Sequence, residues 1–71
     1  MSMTLEELIR AKPRPPKITV RAAAAIMDVT PRFLQMGLQQ GRFPFGTAVK
    51  MDRWAYYINT ERFIKYMEGV N

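Results

Sequence analysis

Hydrophobic residues in the central part of the chain recur at helical spacing, and a short turn-forming stretch interrupts them once. This pattern predicts a small alanine-rich helix at 20–27, a turn at 28–30 and a second helix at 31–40. Thr19 and Thr30 stand immediately before the two helices, where a hydroxyl can accept a hydrogen bond from a free amide of the first turn. Two helices with so short a connection form a unit that commonly carries a DNA-reading helix.

The second helix has explicit boundaries and a defined inward face. Pro31 occupies the first helical position, where its missing N–H costs nothing, and Gly41 follows the helix, where a left-handed cap is expected. Leu34 and Leu38 recur at i, i+4 and are predicted to face the core. Gly37 lies on the same side and costs about 1 kcal/mol against alanine. We therefore expect it to allow close packing against the first helix or the segment that follows.

The opposite face of the second helix is unusual for a solvated surface. It consists of Arg32, Met36 and Gln39, flanked by Phe33 and Gln40, with Gln35 at the border. Arginine can contact guanine, glutamine can contact adenine, and apolar groups can contact thymine methyls. The composition therefore favours a face that contacts DNA bases. The alternative is that Phe33 and Met36 belong to the core and that the polar residues are merely exposed.

After a turn-like bridge at 42–46, the pattern changes from helical to alternating. Residues 47–51 and the aromatic run at 54–58 are typical of strands, and the polar turn between them predicts a β-hairpin. Lys50 and Arg53 lie near its tip. A hairpin directly after two such helices would be a wing whose basic residues contact the DNA backbone or a minor groove. The alternative is an ordinary hairpin that caps the core, with its charges maintaining solubility.

The N-terminal residues 4–11 predict a short amphipathic helix. Thr4 and Glu7 match a capping box, in which each side chain satisfies the other's backbone donor. The apolar stripe of this helix consists of Leu5, Leu8 and Ile9. The helix is too short to be stable alone. We expect it to dock on the rest of the domain, the alternatives being a second copy or another protein.

A proline-rich basic segment, KPRPPK at 12–17, follows this helix. Its three prolines are expected to exclude both helix and strand pairing, which predicts an extended connector. One interpretation is a stiff, solvated linker. The other is a basic arm in which Lys12, Arg14 and Lys17 lie near phosphates or in a minor groove. Residues 1–17 are thus expected to form a short helix and linker ahead of a domain at 18–71.

A last helix is predicted after Asn59, with Thr60 as its N-cap and Glu68 near its end, before Gly69. Its apolar stripe, expected in the core, consists of Phe63, Ile64 and Met67. The predicted fold class is therefore α+β, with a helix-turn-helix, a hairpin and a C-terminal helix.

Composition argues against catalysis and against bound metals. The 71 residues include no cysteine and no histidine, so disulfides, thiolate-bound zinc and the commonest general base are excluded. The six carboxylates are scattered near predicted helix ends and turns. We therefore expect neither an enzyme nor a metal site nor a cofactor.

Charge and hydropathy indicate the class of partner. The net charge is +5 and the pI is about 10.1, which favours a polyanion or an acidic membrane surface. No apolar run approaches the roughly 20 residues of a membrane span. The N-terminus lacks the basic and apolar regions of a signal peptide. A cytoplasmic location is therefore expected.

The run from Ile18 to Met67 resembles the excisionase-like, MerR-related winged-helix family of small DNA-binding proteins. The matching pieces are ITVRAAAAIMDVTPRFL, QQGRFPFG, WAYYI and RFIKYM, in the family's order. MerR regulators add an effector domain and a long dimerisation helix, whose absence favours the excisionase-like branch. The resemblance implies that the second helix enters the major groove and that the wing contacts the adjacent minor groove or backbone.

Carried over by position, the resemblance implies DNA contacts from the second helix by Arg32, Phe33, Met36 and Gln39. It also implies wing contacts by Lys50 and Arg53 and a phosphate contact by Arg21. The predicted site further includes Gln35 and Gln40 on the second helix and Thr30 and Arg42 as backbone contacts.

The predicted function is sequence-specific binding of double-stranded DNA by a protein of a phage or mobile element. It would act in a bacterial host as an excisionase, bending DNA beside an attachment site to help a tyrosine or serine integrase. Cooperative self-association on adjacent sites is expected. A small transcriptional repressor is the first alternative, and a protein-interaction module that does not bind DNA is the second.

Overall fold

Four helices and a three-stranded antiparallel sheet make up the computed structural model over the residues that it describes, 4–69. The helices are α1 (Leu5–Arg10), α2 (Val20–Met27), α3 (Pro31–Gln39) and α4 (Thr60–Met67). The strands are β1 (Lys17–Ile18), β2 (Gly46–Lys50) and β3 (Trp54–Asn59). The molecule is a small α+β domain, so the predicted fold class is confirmed at that level.

The connection between α2 and α3 is as tight as the sequence predicts. Thr19 Oγ1 accepts from the amide of Ala22 at 3.0 Å, and Thr30 Oγ1 accepts from the amide of Phe33 at 3.1 Å. Asp28 ends α2 in the left-handed conformation, with φ of 60°. The predicted bounds of α2 are confirmed. The α3 helix ends one residue earlier than predicted, with Gln40 as its C-cap, and Gly41 has φ of 69°.

The bridge at 42–46 supplies part of the core, although the sequence suggested only a turn. Phe45 is fully buried, and its ring lies 5.0 Å from the rings of both Phe63 and Tyr66. Phe43 stacks on Phe45 with a centroid separation of 5.2 Å. These aromatic rings join the bridge to α4.

The strand β3 lies at the centre of the sheet, between β1 and β2. Gly46 pairs with Ile58 and Lys50 with Trp54, which defines the predicted hairpin. On the other side Lys17 pairs with Asn59, so the prediction that the whole 12–17 segment excludes strand pairing is wrong. The last proline is residue 16, and Lys17 retains the N–H that pairing requires.

The N-terminal helix is part of the same core. The predicted capping box is present, with Glu7 N donating to Thr4 Oγ1 and Thr4 N donating to Glu7 Oε1. Leu8 is fully buried in one cluster with Phe63 and Ile64 of α4, against which α1 packs. Docking on the rest of the domain is therefore confirmed.

The helix α4 begins one residue earlier than predicted. Asn59, not Thr60, is the N-cap, and its side-chain oxygen accepts from the amide of Arg62 at 2.9 Å. Thr60 lies inside the first turn and is fully buried. It cannot cap because its side chain points into the core. Its hydroxyl has no hydrogen-bond partner among residues 4–69. Phe63 and Ile64 are buried as predicted.

Candidate nucleic-acid interface

The outer surface of α3 carries large apolar side chains that point to solvent. Phe33 is 57% exposed and Met36 is 39% exposed. Leu34 and Leu38 occupy the inward face and are buried, so the 100° step of the helix turns Phe33 and Met36 outward. Their exposure excludes the alternative that these two residues belong to the core.

These side chains belong to one open concavity between α3 and the segment that follows it. It is lined by Thr30, Arg32, Phe33, Met36, Gly37, Gln40, Arg42 and Phe43. We call this set the α3 surface. The rings of Phe33 and Phe43 lie 6.3 Å apart and form part of its apolar lining.

Gly37 determines how closely Phe43 approaches α3. A Cβ atom on Gly37 would lie 2.2 Å from Phe43 Cε2, far inside van der Waals contact. The glycine therefore allows the segment after α3 to pack closely on the helix. This was one of the two packing partners that the sequence predicted for Gly37. Phe43 itself was not among the predicted site residues. The only sequence signal for Phe43 is that an aromatic residue follows a helical glycine by six positions. That spacing identifies a contact only once the fold is known.

The α3 surface is positively charged and contains no carboxylate. Arg32 and Arg42 both line it, and no aspartate or glutamate does. Neither arginine forms an ion pair within the described range of the chain. An apolar concavity with two uncompensated guanidinium groups can bind a ligand that presents both anionic and apolar groups.

Gln39 does not lie on the outer face, contrary to the sequence prediction. It is half-buried, and its Nε2 donates to the hydroxyl of Tyr56 on β3 at 2.8 Å. The residue follows Leu38 on the side of α3 that packs on the sheet, and Gln35, one turn earlier, is also half-buried. The exposed face of α3 is therefore narrower than predicted, because packing against the rest of the domain partly covers Gln35 and Gln39.

The hairpin places its two predicted basic residues at the tip. Lys50 ends β2, and Arg53 lies in the turn just before β3; both are exposed. Met51 N donates to the carbonyl of Arg53 at 3.0 Å and closes the turn. The ammonium of Lys50 lies 5.7 Å from the centroid of the Trp54 ring, a contact that the sequence analysis missed.

The remaining predicted contacts lie at separate positions. Arg21 is exposed in the first turn of α2. Arg14 Nη1 donates to both carboxylate oxygens of Glu61, at 2.8 and 3.0 Å. Lys17 belongs to β1, while Lys12 is exposed. The three residues of the predicted basic arm are therefore not a continuous free segment, since Arg14 and Lys17 are tied to the domain.

Two classes of site find no support in the residues that the structure describes. No group of three or more histidine, cysteine, aspartate or glutamate side chains there could hold a metal ion. No helix between residues 4 and 69 is both long enough and apolar enough to span a membrane. Comparison of the chain with protein-family models, curated proteins and solved structures finds no match.

Proposed function

We propose that this protein binds double-stranded DNA sequence-specifically as a winged helix-turn-helix domain. In this proposal α3 is the recognition helix in the major groove, and the β2–β3 hairpin is the wing. The observation that supports it best is the α3 surface, where exposed Phe33 and Met36 lie beside Arg32 without any carboxylate.

The chemistry of this surface matches base edges in the major groove. That groove is about 12 Å wide and admits a single α-helix. In helix-turn-helix proteins the N-terminal residues of the second helix contact the bases. Arg32 and Phe33 occupy that part of α3. The guanidinium can bind guanine through two hydrogen bonds, and the apolar groups of Phe33 and Met36 can pack against thymine methyls.

In this proposal, phosphate contacts are made by Arg42 of the α3 surface and by three basic residues outside it. Arg42 follows the helix, Lys50 and Arg53 lie at the hairpin tip, and Arg21 is in the first turn of α2. Such contacts position a protein on the duplex but carry no sequence information directly. In this proposal, discrimination comes from α3 and much of the affinity comes from the flanking charges.

The biological role that we propose is excision of a mobile element. Here the protein binds beside an attachment site, bends the DNA and helps an integrase assemble, with copies on adjacent sites. This role rests on the resemblance of residues 18–67 to excisionase-like proteins. Footprinting on the native locus tests it, because protected sites flanking an attachment site support excision, whereas sites over a promoter indicate a repressor.

Two substitutions test the assignment of base and phosphate contacts. A pool of random duplexes is used to select sites for the wild-type protein, and affinities for the best and the scrambled site are then compared. Arg32→Ala should lower the discrimination by about 1–3 kcal/mol, because a bidentate base contact is lost. Lys50→Ala should weaken both sites alike.

Lys65→Ala is the matched control. It removes the same charge from an exposed position on α4 that does not line the α3 surface. It should leave discrimination unchanged and reduce affinity little. Unchanged discrimination in Arg32→Ala would contradict the assignment of α3 as the recognition helix.

A further inference from the structure

The hairpin tip carries exposed apolar side chains as well as basic ones. Met51 is 66% exposed, Val49 is 53% exposed and Trp54 is 36% exposed. A hairpin tip needs no large apolar residue for its own folding, since polar residues form such turns. Exposed aromatic and aliphatic groups next to basic residues therefore indicate a contact surface.

Trp54 lies on the side of the sheet that faces the helices. Side chains alternate along β3, so Trp54 shares a face with Tyr56 and Ile58. Ile58 is fully buried, and the Tyr56 hydroxyl accepts from Gln39 of α3. Trp54 is thus the outermost residue on the helix-facing side of β3, and it lies outside the buried core.

Lys50 and Trp54 are held together by the sheet itself. They are direct cross-strand partners, and the ammonium lies 5.7 Å from the ring centroid, within the range of a cation–π contact. The bond from Met51 N to the Arg53 carbonyl makes the next pair inward a non-hydrogen-bonded one. In such pairs the side chains approach most closely.

We infer that Trp54 and Lys50 form one contact unit of the proposed wing, and this inference rests on the proposed function. The indole ring packs against a deoxyribose at the groove edge, and the ammonium held against it binds the adjoining phosphate. A deoxyribose offers an apolar surface directly beside an anion, which is the arrangement that this pair complements.

Asp52 explains why the contact is made by the flank of the hairpin and not by its apex. Its carboxylate lies in the exposed turn between the two strands, where phosphates would repel it on deep insertion. The flank at Lys50 and Trp54 carries no carboxylate. The hairpin is therefore expected to lie along the groove edge.

Because Trp54 is the only tryptophan, its fluorescence reports this contact directly. The probe is a mixed-sequence duplex of about 30 base pairs, roughly 100 Å long, against a longest molecular extent of 35 Å. Binding at low salt is followed separately by the anisotropy of a labelled duplex. Saturation should change the Trp54 emission and protect the ring from acrylamide.

The two readouts separate failure of this inference from failure of the proposed function. If anisotropy shows a complex while Trp54 emission and acrylamide access stay unchanged, the contact unit is wrong and DNA binding stands. If anisotropy shows no complex at low salt, both are overturned.

Substitutions test whether the two side chains act as a unit. Lys50→Ala should reduce the slope of log affinity against log salt by about 1. Trp54→Leu keeps an apolar side chain but removes the π-face. It should weaken binding by about two- to fivefold, the range of one exposed cation–π contact, and lower the slope in the same direction. The double variant should have the slope of Lys50→Ala alone.

Tyr57→Leu is the matched control, on the same strand but the opposite face and 43% exposed. Far-UV circular dichroism establishes that each variant is folded. A wild-type slope for Trp54→Leu, or an equal loss for Tyr57→Leu, would overturn the inference.

Discussion

At the scale of single residues, Gly37 is the position on which the α3 surface depends most. The Phe43 ring occupies the space that any other side chain at this position would need. Phe43 also stacks on buried Phe45 and meets Tyr66 edge-on at 6.2 Å, so it has little room to move. The glycine thus links the shape of the α3 surface to the core.

Gly37→Ala should therefore destabilise the protein although alanine favours helix. The gain in helix propensity is about 1 kcal/mol, whereas displacing a packed aromatic ring typically costs about 1–3 kcal/mol. We expect a lower free energy of unfolding in urea denaturation and altered aromatic NMR shifts for Phe43 and Tyr66.

Gly41→Ala is the control for this substitution. Gly41 has φ of 69° and open space around it, so alanine there introduces backbone strain without a steric clash. It should lower stability by about 1–2 kcal/mol while leaving the Phe43 resonances in place. A stabilised Gly37→Ala variant would contradict the proposed packing.

Residues whose roles are local could be predicted from the sequence, and those whose roles depend on packing could not. The caps Thr19 and Thr30 act on amides three positions away, so their spacing specifies the bond. Gln39 was misplaced because its partner, Tyr56, is 17 positions away. Likewise, the choice of Asn59 over Thr60 depends on which side chain the core buries.

At the scale of elements, the N-terminal helix shows how a helix that is too short to be stable alone becomes part of a domain. Leu8 is fully buried although α1 has only six residues. Arg14 fastens the connector by bonding both to Glu61 of α4 and to the carbonyl of Ile9. Amphipathic spacing predicted that α1 must dock, but only the structure identifies α4 as the helix against which it packs.

Leu8→Ala should destabilise the whole domain and not only its N-terminus. Removing a fully buried leucine typically costs about 2–5 kcal/mol, a large share for a chain of this size. Urea unfolding followed by circular dichroism should show one transition shifted to lower denaturant. Leu5→Ala, at a half-buried position of the same helix, should cost less.

An independent N-terminal segment would behave differently. In that case Leu8→Ala would leave the main unfolding transition unchanged. Such a result would contradict the assignment of α1 to the common core.

In the hairpin, too, features that depend on the local sequence pattern could be predicted, whereas those that depend on strand pairing could not. Alternation and aromatic content predicted both strands, because a period of two is a local property. The pairing of Lys17 with Asn59 was missed because two residues give no periodic signal. The contact of Lys50 with Trp54 required the cross-strand register, which the turn at 51–53 sets.

At the scale of the whole molecule, charge is distributed unevenly. The chain has eleven basic and six acidic residues. The two ion pairs among residues 4–69 both use arginines of the N-terminal segment, Arg10 and Arg14. The basic residues at α3, the hairpin tip and the start of α2 form no ion pair among residues 4–69.

The most direct test of DNA binding is a salt titration of affinity for the labelled duplex. Four assigned phosphate contacts, at Arg21, Arg42, Lys50 and Arg53, predict a slope of about −4 for log affinity against log salt. Lys65→Ala should keep that slope, and Arg42→Ala should reduce it by about 1. A slope near zero, or no duplex binding even at low salt, would contradict the proposed function.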